Sequence, residues 1–107
     1  MDLFHTTDTD GISILNPDLT AMRELIASLD TAGVNEADHP DVSLVHDPSG
    51  WSISLYPNGV AALENLDDEA EPRYLPKLTR SEALKLWVAL SQGDLTHIRR
   101  HPWREEV

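Results

Sequence analysis

The clearest hydrophobic pattern in the chain is helical and lies between residues 19 and 29. Its apolar residues recur at spacings of three or four and so form one stripe of a helix. They are Leu19, Met22, Leu25, Ile26 and Leu29. Asn16-Pro17-Asp18 predicts the start, because Asn can cap a helix, Pro suits the first helical position and Asp favours the positive end of the dipole. Gly33 predicts the end.

A second helical pattern predicts the C-terminal helices. Thr79-Arg80-Ser81-Glu82 matches a capping box, in which the Thr hydroxyl and the Glu carboxylate each pair with a backbone N–H. The buried side of this helix would hold Ala83, Leu84, Trp87, Val88 and Leu90. Gly93 ends the helix, and Asp94 can cap a short last one. Pro102 stops that helix, because the residue before a proline is pushed out of the α region.

Between the two helical regions, residues 42–66 predict an antiparallel meander. The tetrapeptides Asp47–Gly50 and Tyr56–Gly59 both have Pro second and Gly last. A proline at the second position fixes φ at about −65°, which excludes the two-residue I′ and II′ hairpin turns. A type I turn closed by a left-handed Gly suits both tetrapeptides and gives two three-residue loops.

These loops set a register that assigns each strand residue to a face. Asp47 pairs with Trp51, and Tyr56 pairs with Val60. The core face then holds Trp51 and the rows Val45/Ile53/Leu63 and Ser43/Leu55/Ala61. The outer face holds the rows Val42/Tyr56/Val60, Leu44/Ser54/Ala62 and His46/Ser52/Glu64. A slip of one residue would scatter the apolar side chains, which favours this register.

The remaining segments complete an α+β fold. Gly11–Leu15 predicts a short strand, and Arg73–Leu78 predicts a fourth one at the sheet edge, since Pro76 cannot donate to a ladder. Residues 1–10 predict a flexible N-terminal segment. We therefore expect one domain over residues 1–107: an antiparallel β-meander of three to four strands, with an N-terminal helix and two C-terminal helices packed mainly on one face.

The charge of the chain is negative and unevenly distributed. The net charge is −11; residues 1–72 hold fifteen acids and one base, a net of −14, whereas residues 73–107 hold seven bases and four acids, a net of +3. Such a field repels nucleic acid and anionic membranes and attracts a basic partner. The alternative is that the acidic surface serves solubility alone.

Composition excludes several classes of chemistry. Cysteine is absent, which removes disulfides, thiol nucleophiles and Cys-based zinc sites. The sequence has no apolar run of about 18 residues and starts with no export signal, so we expect a cytoplasmic protein. No phosphate loop, dinucleotide fingerprint or basic nucleic-acid motif is present, and no cofactor is predicted. The tryptophans Trp51, Trp87 and Trp103 suit the core better than a ligand site.

Three clusters of polar residues resemble reactive or metal sites and fail on geometry. In the row His46/Ser52/Glu64 the serine lies in the middle, whereas a catalytic relay needs the histidine there. His97 and His101 have the i, i+4 spacing of zinc ligands, but the residues between them include two arginines and no third ligand is evident. Asp8–Gly11 resembles part of a calcium loop whose first and last positions do not match. We therefore predict no catalytic residues and no metal site.

Two surfaces remain as candidate binding sites. The acidic run Asp67, Asp68, Glu69 and Glu71 would dock a Lys/Arg-rich partner, where charge adds association rate and specificity; the alternative is a solvated loop. The outer sheet face would form a small-ligand or enzymatic site. Its residues are His46, Ser52, Ser54, Tyr56 and Glu64. The same half-apolar face could instead pair two copies of the chain.

The order of turn and core signals resembles a loose group of small uncharacterised bacterial proteins, some of them like immunity proteins of toxin systems. The resemblance spans about residues 42–103. It is carried by Ser49-Gly50-Trp51, Pro57 with Gly59, Leu63-Glu64-Asn65, Leu86-Trp87, Gly93-Asp94 and Pro102-Trp103. It implies a similar fold and, for the immunity-like members, a toxin partner, but it carries over no toxin-contacting residue. The leading expectation is a non-catalytic protein-binding module for a basic partner.

Overall fold

The computed structural model describes residues 3–30, 40–67 and 71–105. The strands are β1 (Phe4–Thr7), β2 (Ser13–Leu15), β3 (Val42–His46), β4 (Trp51–Leu55), β5 (Ala61–Asn65) and β6 (Arg73–Leu75). The helices are α1 (Leu19–Ala27), extended by a 3-10 turn (Ser28–Asp30), α2 (Arg80–Ser91) and α3 (Leu95–Arg99). The strands form one antiparallel sheet in the order β2-β1-β3-β4-β5-β6. The α+β class is thus confirmed, with six strands in the described residues rather than the three or four predicted.

The hairpin between β4 and β5 has the predicted register. Ile53 pairs with Leu63, and the Tyr56 N–H donates to the Val60 carbonyl at 2.9 Å. Gly59 closes the turn with a φ of 89°, in the left-handed region that a side chain disfavours. The three-residue loop is therefore confirmed here.

The β3–β4 connection is one residue longer than predicted. His46 pairs with Trp51, so the loop comprises all of Asp47–Gly50. The Gly50 N–H donates to the His46 carbonyl at 2.9 Å, and the Gly50 carbonyl accepts from the Leu66 N–H at 2.8 Å. The turn therefore closes over four residues. The predicted pairing of Asp47 with Trp51 is wrong by one position.

This slip turns β3 over relative to the prediction, because side chains alternate between the faces of a strand. Leu44 pairs with Ile53, and Val42 pairs with Leu55, so the apolar side chains of β3 lie on the core face. His46 lies on that face as well. Ser43 and Val45, which the predicted register placed in the core, lie on the outer face instead.

The N-terminal strand is the largest departure from the sequence prediction, which gives residues 1–10 no element. β1 pairs with β2 on one side and with the central strand β3 on the other. The Asn16 side chain joins the hairpin, since its Oδ1 accepts from the Phe4 N–H at 2.9 Å. The predicted short strand over residues 11–15 is present as β2. It is an edge strand, and β6, with Pro76 directly after it, forms the other edge.

The helices and the core face of the sheet share one buried cluster. Its members are Met22, Ile26, Leu29, Val42, Leu44, Ile53, Leu55, Ala61, Leu63, Leu75, Ala83, Leu86, Trp87, Ala89, Leu90 and Ile98. Trp87 is fully buried, and its indole N–H donates to the Ile53 carbonyl at 3.1 Å. Trp51 and Trp103 pack against the cluster from its margin. Burying one large apolar side chain contributes about 1.5–3 kcal/mol, so this cluster supplies most of the driving force for the fold.

Caps define the helices largely as the sequence predicts. The Thr79 hydroxyl accepts from the Glu82 N–H, and the Glu82 carboxylate accepts from the Thr79 N–H, each at 3.1 Å. Asp94 caps α3 through the His97 N–H. Asp18, not Asn16, caps α1, because Asn16 is used by the β1–β2 hairpin. The predicted stop at Gly33 lies outside the described residues.

Candidate functional site

The face of the sheet turned away from the core, which we call the outer sheet face, is rich in hydroxyl groups. Two rows of side chains cross it. The first row is Ser13, Thr7, Ser43, Ser54, Ala62 and Tyr74, and the second is Leu15, His5, Val45, Ser52 and Glu64. None of these residues belongs to the core cluster, but Val45 and Ser52 in the second row are buried. The rows contain no lysine or arginine, and their one ionisable base, His5, is 3.0 Å from the Asp47 carboxylate.

Carboxylates of this face disfavour the ionised form of Tyr56. Burial raises the pKa of Tyr56 above its usual 10.0, and the charges of Asp41, Tyr74 and Glu64 raise this pKa further. The phenol thus lies close enough to both carboxylates for their charge to oppose its ionisation. A half-buried tyrosine is a side chain that protein interfaces favour.

A shallow cavity of ≈ 230 Å³ opens at the end of this face where β1 and β2 meet. It is lined by Thr7, Asp8, Gly11, Asp41 and Ser43. The cavity is smaller than the usual 300–1,000 Å³ of a small-molecule site, and two of its five lining residues, Asp8 and Asp41, carry carboxylates. These carboxylates are complementary to a lysine or arginine side chain.

The predicted ligand face is only partly assembled. Ser52, Ser54 and Glu64 share the outer sheet face, and Ser52 pairs with Glu64 as expected. His46 is on the opposite face, where it is 5% exposed and its Nδ1 is 2.6 Å from the Ser49 Oγ. The row His46/Ser52/Glu64 therefore does not exist. The sequence pattern missed this because the length of one turn decides which way β3 faces.

The predicted acidic docking patch lies partly outside the described residues, which exclude Asp68 and Glu69. Asp67 and Glu71 are both exposed. The Asp67 N–H donates to the Asn65 side chain at 2.9 Å, which fixes the start of the loop beside β5. The exposed carboxylate of Asp67 thus follows Glu64 along the chain and extends the acidic surface past the end of β5.

The other polar clusters have structural roles. The Asp8 carboxylate accepts from the N–H groups of Asp10 and Ile12, which closes the β1–β2 turn rather than a calcium loop. The rings of His97 and His101 meet edge to face, with centroids 5.6 Å apart. Within residues 3–30, 40–67 and 71–105, no group of three metal-ligating side chains comes together.

A groove of ≈ 330 Å³ separates α1 from α2 on the other side of the molecule. It is lined by Arg23, Ile26, Ala27, Asp30, Arg80, Ser81 and Leu84. The Arg80 guanidinium donates to the Asp30 carboxylate at 2.8 Å and to the Pro57 carbonyl at 2.9 Å. These contacts join α2 to the 3-10 turn after α1 and to the β4–β5 turn.

The edge strand β2 is the feature that the sequence prediction missed as a site. All three of its residues are exposed, and so is Ile12 directly before it. Ile14 and Leu25 help to line a cavity of ≈ 280 Å³ between β2 and α1. The signal in the sequence is the short, mostly apolar segment Ile12-Ser13-Ile14-Leu15.

Comparison with known proteins gave no match: no family model, no curated protein and no solved structure is significantly similar to this chain. None of the helices in the described part of the chain is long and apolar enough to cross a membrane. The function is therefore argued from the geometry of the outer sheet face and the sheet edge.

Proposed function

We propose that this protein is a non-catalytic binding module that holds a basic protein partner against its outer sheet face. The observation that carries the proposal is the composition of this face: its two rows hold hydroxyls, the Tyr74 phenol and the Glu64 carboxylate and contain no lysine or arginine. Tyrosine supplies contact area at a low entropy cost, and the carboxylates supply complementarity to cationic side chains. The exposed carboxylates of Asp67 and Glu71, in the loop after β5, add to the negative charge offered to the partner.

The position of His46 weighs against the alternative of a ligand-binding or enzymatic face. Without His46, the two rows offer hydroxyls, the Glu64 carboxylate and His5, which is 3.0 Å from the Asp47 carboxylate and is separated from Ser52 by Val45. Hydroxyls at neutral pH are poor bases and poor nucleophiles unless a base activates them. The immunity-like resemblance agrees with the binding proposal, since it implies a protein partner, here one with a basic surface.

A capture experiment with matched variants tests the proposal. The immobilised protein is incubated with lysate of its source at low and at high salt, and retained proteins are identified by mass spectrometry. In the face variant, Asp41→Asn with Glu64→Gln, two carboxylates of the outer sheet face lose their charge. In the control variant, Asp30→Asn with Glu105→Gln, the same number of charges is lost from carboxylates that already pair with arginines.

We expect the wild type and the control to retain one basic protein at low salt and to release it at high salt, because screening weakens exposed charge pairs. The face variant should retain much less of it. Retention of nothing by the wild type, or of a partner that salt and the face variant leave unaffected, would refute the proposal. Circular dichroism of all three proteins checks that each is folded.

A further inference from the structure

The two edge strands of the sheet differ in whether their outer sides are closed to a further strand. At the β6 edge the Tyr74 N–H donates to the Arg104 carbonyl at 2.7 Å, and the Arg104 N–H donates back at 2.8 Å. Pro72 and Pro76 stand on either side of this strand and cannot donate to a further one. These are the devices by which proteins close an edge against unwanted pairing. The β2 edge has no equivalent among the described residues.

The backbone of β2 presents unused hydrogen-bonding groups along this edge. The Asp8 N–H donates to the Ile12 carbonyl at 3.0 Å, and the Asn16 N–H donates to the Phe4 carbonyl at 2.8 Å. In an antiparallel pair, bonded residues alternate with residues whose groups point outward. The N–H and C=O groups of Ser13 and Leu15 therefore point away from β1. A further strand could form two pairs of hydrogen bonds there.

The side chains beside this edge are apolar and exposed. Ile12 is 60% exposed, Ile14 is 50% exposed and Leu15 is 66% exposed. Ile14 pairs with Thr6 on the core face, so its side chain lies over the cavity between β2 and α1. An added strand would bring every second side chain to this cavity, which is how edge-binding domains obtain specificity.

The charges around the cavity select the chemistry of the added strand. The two ionisable side chains that line it are Asp8 and Glu24, both acidic. Asp10 stands in the β1–β2 turn at the same end. A second copy of this chain would bring equal carboxylates together across the edge, whereas a segment with lysine or arginine would neutralise them.

We propose that β2 accepts an extended, basic segment of a partner protein as a seventh strand of the sheet. The segment alternates apolar side chains with lysine or arginine side chains, and the two kinds lie on opposite faces of the added strand. One apolar side chain enters the cavity beside Ile14, and the basic side chains lie on the outer sheet face, where Asp8 and Asp41 line the neighbouring cavity. The inference rests on the proposed function, because it names the part of the basic partner that the module takes up. The outer sheet face and the β2 edge meet at Asp8, which lines both cavities.

A synthetic probe tests this directly. The probe is a capped heptapeptide of alternating lysine and valine, and its controls are the glutamate–valine peptide and a lysine–valine peptide N-methylated along one edge. The readout is amide hydrogen exchange of Ser13 and Leu15 by NMR. At a probe concentration about ten times its Kd, exchange of these two amides should slow about tenfold. The N-methylated and glutamate peptides should leave exchange unchanged.

Two matched variants keep the test specific to the edge. Ile14→Lys replaces an apolar side chain at the cavity with a cation that repels the basic probe, and should abolish the protection. Leu66→Lys makes the same change in charge at a similarly exposed residue, 57% exposed, that lies after β5, and should leave the protection intact. Probe binding without protection of the two amides would overturn the inference. So would protection that appears without probe and rises with protein concentration, since a second copy would then occupy the edge.

Failure of this inference is distinguishable from failure of the proposed function. If the wild type captures a basic partner that Ile14→Lys also retains, and the probe protects neither amide, the edge proposal is wrong and the binding module stands. If the wild type captures nothing from lysate, the proposed function fails whatever the probe does.

Discussion

Substituting Gly59 by alanine should destabilise the protein more than the same change at Gly11, although both glycines are in hairpin turns with left-handed φ. Their φ values are 89° and 83°. A left-handed conformation costs a residue with a Cβ about 1–2 kcal/mol, and this cost applies to both sites. Gly11→Ala measures the cost of the left-handed conformation alone, because no atom of the described residues would lie within 4 Å of the added Cβ.

At Gly59 a second cost is added. A Cβ there would be 3.1 Å from the carbonyl oxygen of Leu78 and 3.3 Å from the Cα of Lys77. These are backbone atoms, and the Leu78 N–H is itself bonded to the Gly59 carbonyl at 2.8 Å. Relieving the crowding therefore weakens a hydrogen bond worth about 0.5–1.5 kcal/mol. We expect a total loss of about 2–3 kcal/mol for Gly59→Ala.

Urea unfolding, monitored by circular dichroism, measures the loss in the free energy of unfolding for both variants. With about 1 kcal/mol between the two variants, their melting temperatures should differ by about 4–8 °C. Equal losses would show that the segment after β6 moves freely away from the turn. A larger loss for Gly11→Ala would refute the reasoning altogether, because strain would then not add to crowding.

Three further predictions concern the core, a helix cap and the outer sheet face. Trp87→Phe should cost about 2–3 kcal/mol in urea unfolding, because it removes the bond to the Ile53 carbonyl and leaves a void. Glu82→Gln should be less stable than the wild type at pH 7. The folded-state pKa of Glu82 lies below 4.5, chiefly through its backbone bond in the capping box, so this difference is lost as pH falls through that pKa. Asp41→Asn should lower the pKa of Tyr56 in an absorbance titration, while burial keeps it above 10.0.

Each of these has an outcome that contradicts it. A phenylalanine at position 87 without loss of stability would mean that the core repacks around the smaller ring. A Glu82→Gln difference that stays constant between pH 7 and the acid limit would show that charge has no part in the cap. An unchanged Tyr56 titration in Asp41→Asn, as expected of the control Glu105→Gln, would remove the electrostatic basis of the outer sheet face.

Local signals in the sequence determined much of the fold. The capping box at Thr79, the stop at Gly93 and the cap at Asp94 all form as predicted, because each depends on residues within one helical turn. The β4–β5 register follows from one Pro-x-Gly turn for the same reason. The candidate face of Ser52, Ser54 and Glu64 was predictable on this basis.

What the tertiary structure alone decided was the orientation of β3 and the presence of β1. The turns at Gly50 and Gly59 have the same pattern of Pro and Gly, yet one closes over four residues and the other over three. Both glycine carbonyls accept a hydrogen bond from outside the hairpin, Gly50 from Leu66 and Gly59 from Leu78, so this bond is not the difference. The longer first turn places Val42 and Leu44, both fully buried, on the core face. Because strand side chains alternate, the extra loop residue also moves His46 to the core side and removes it from the outer sheet face. β1 is short and half polar, so the sequence alone does not identify it as a strand. Its pairing with β3 adds the β1–β2 hairpin to the sheet and leaves β2 as an edge strand.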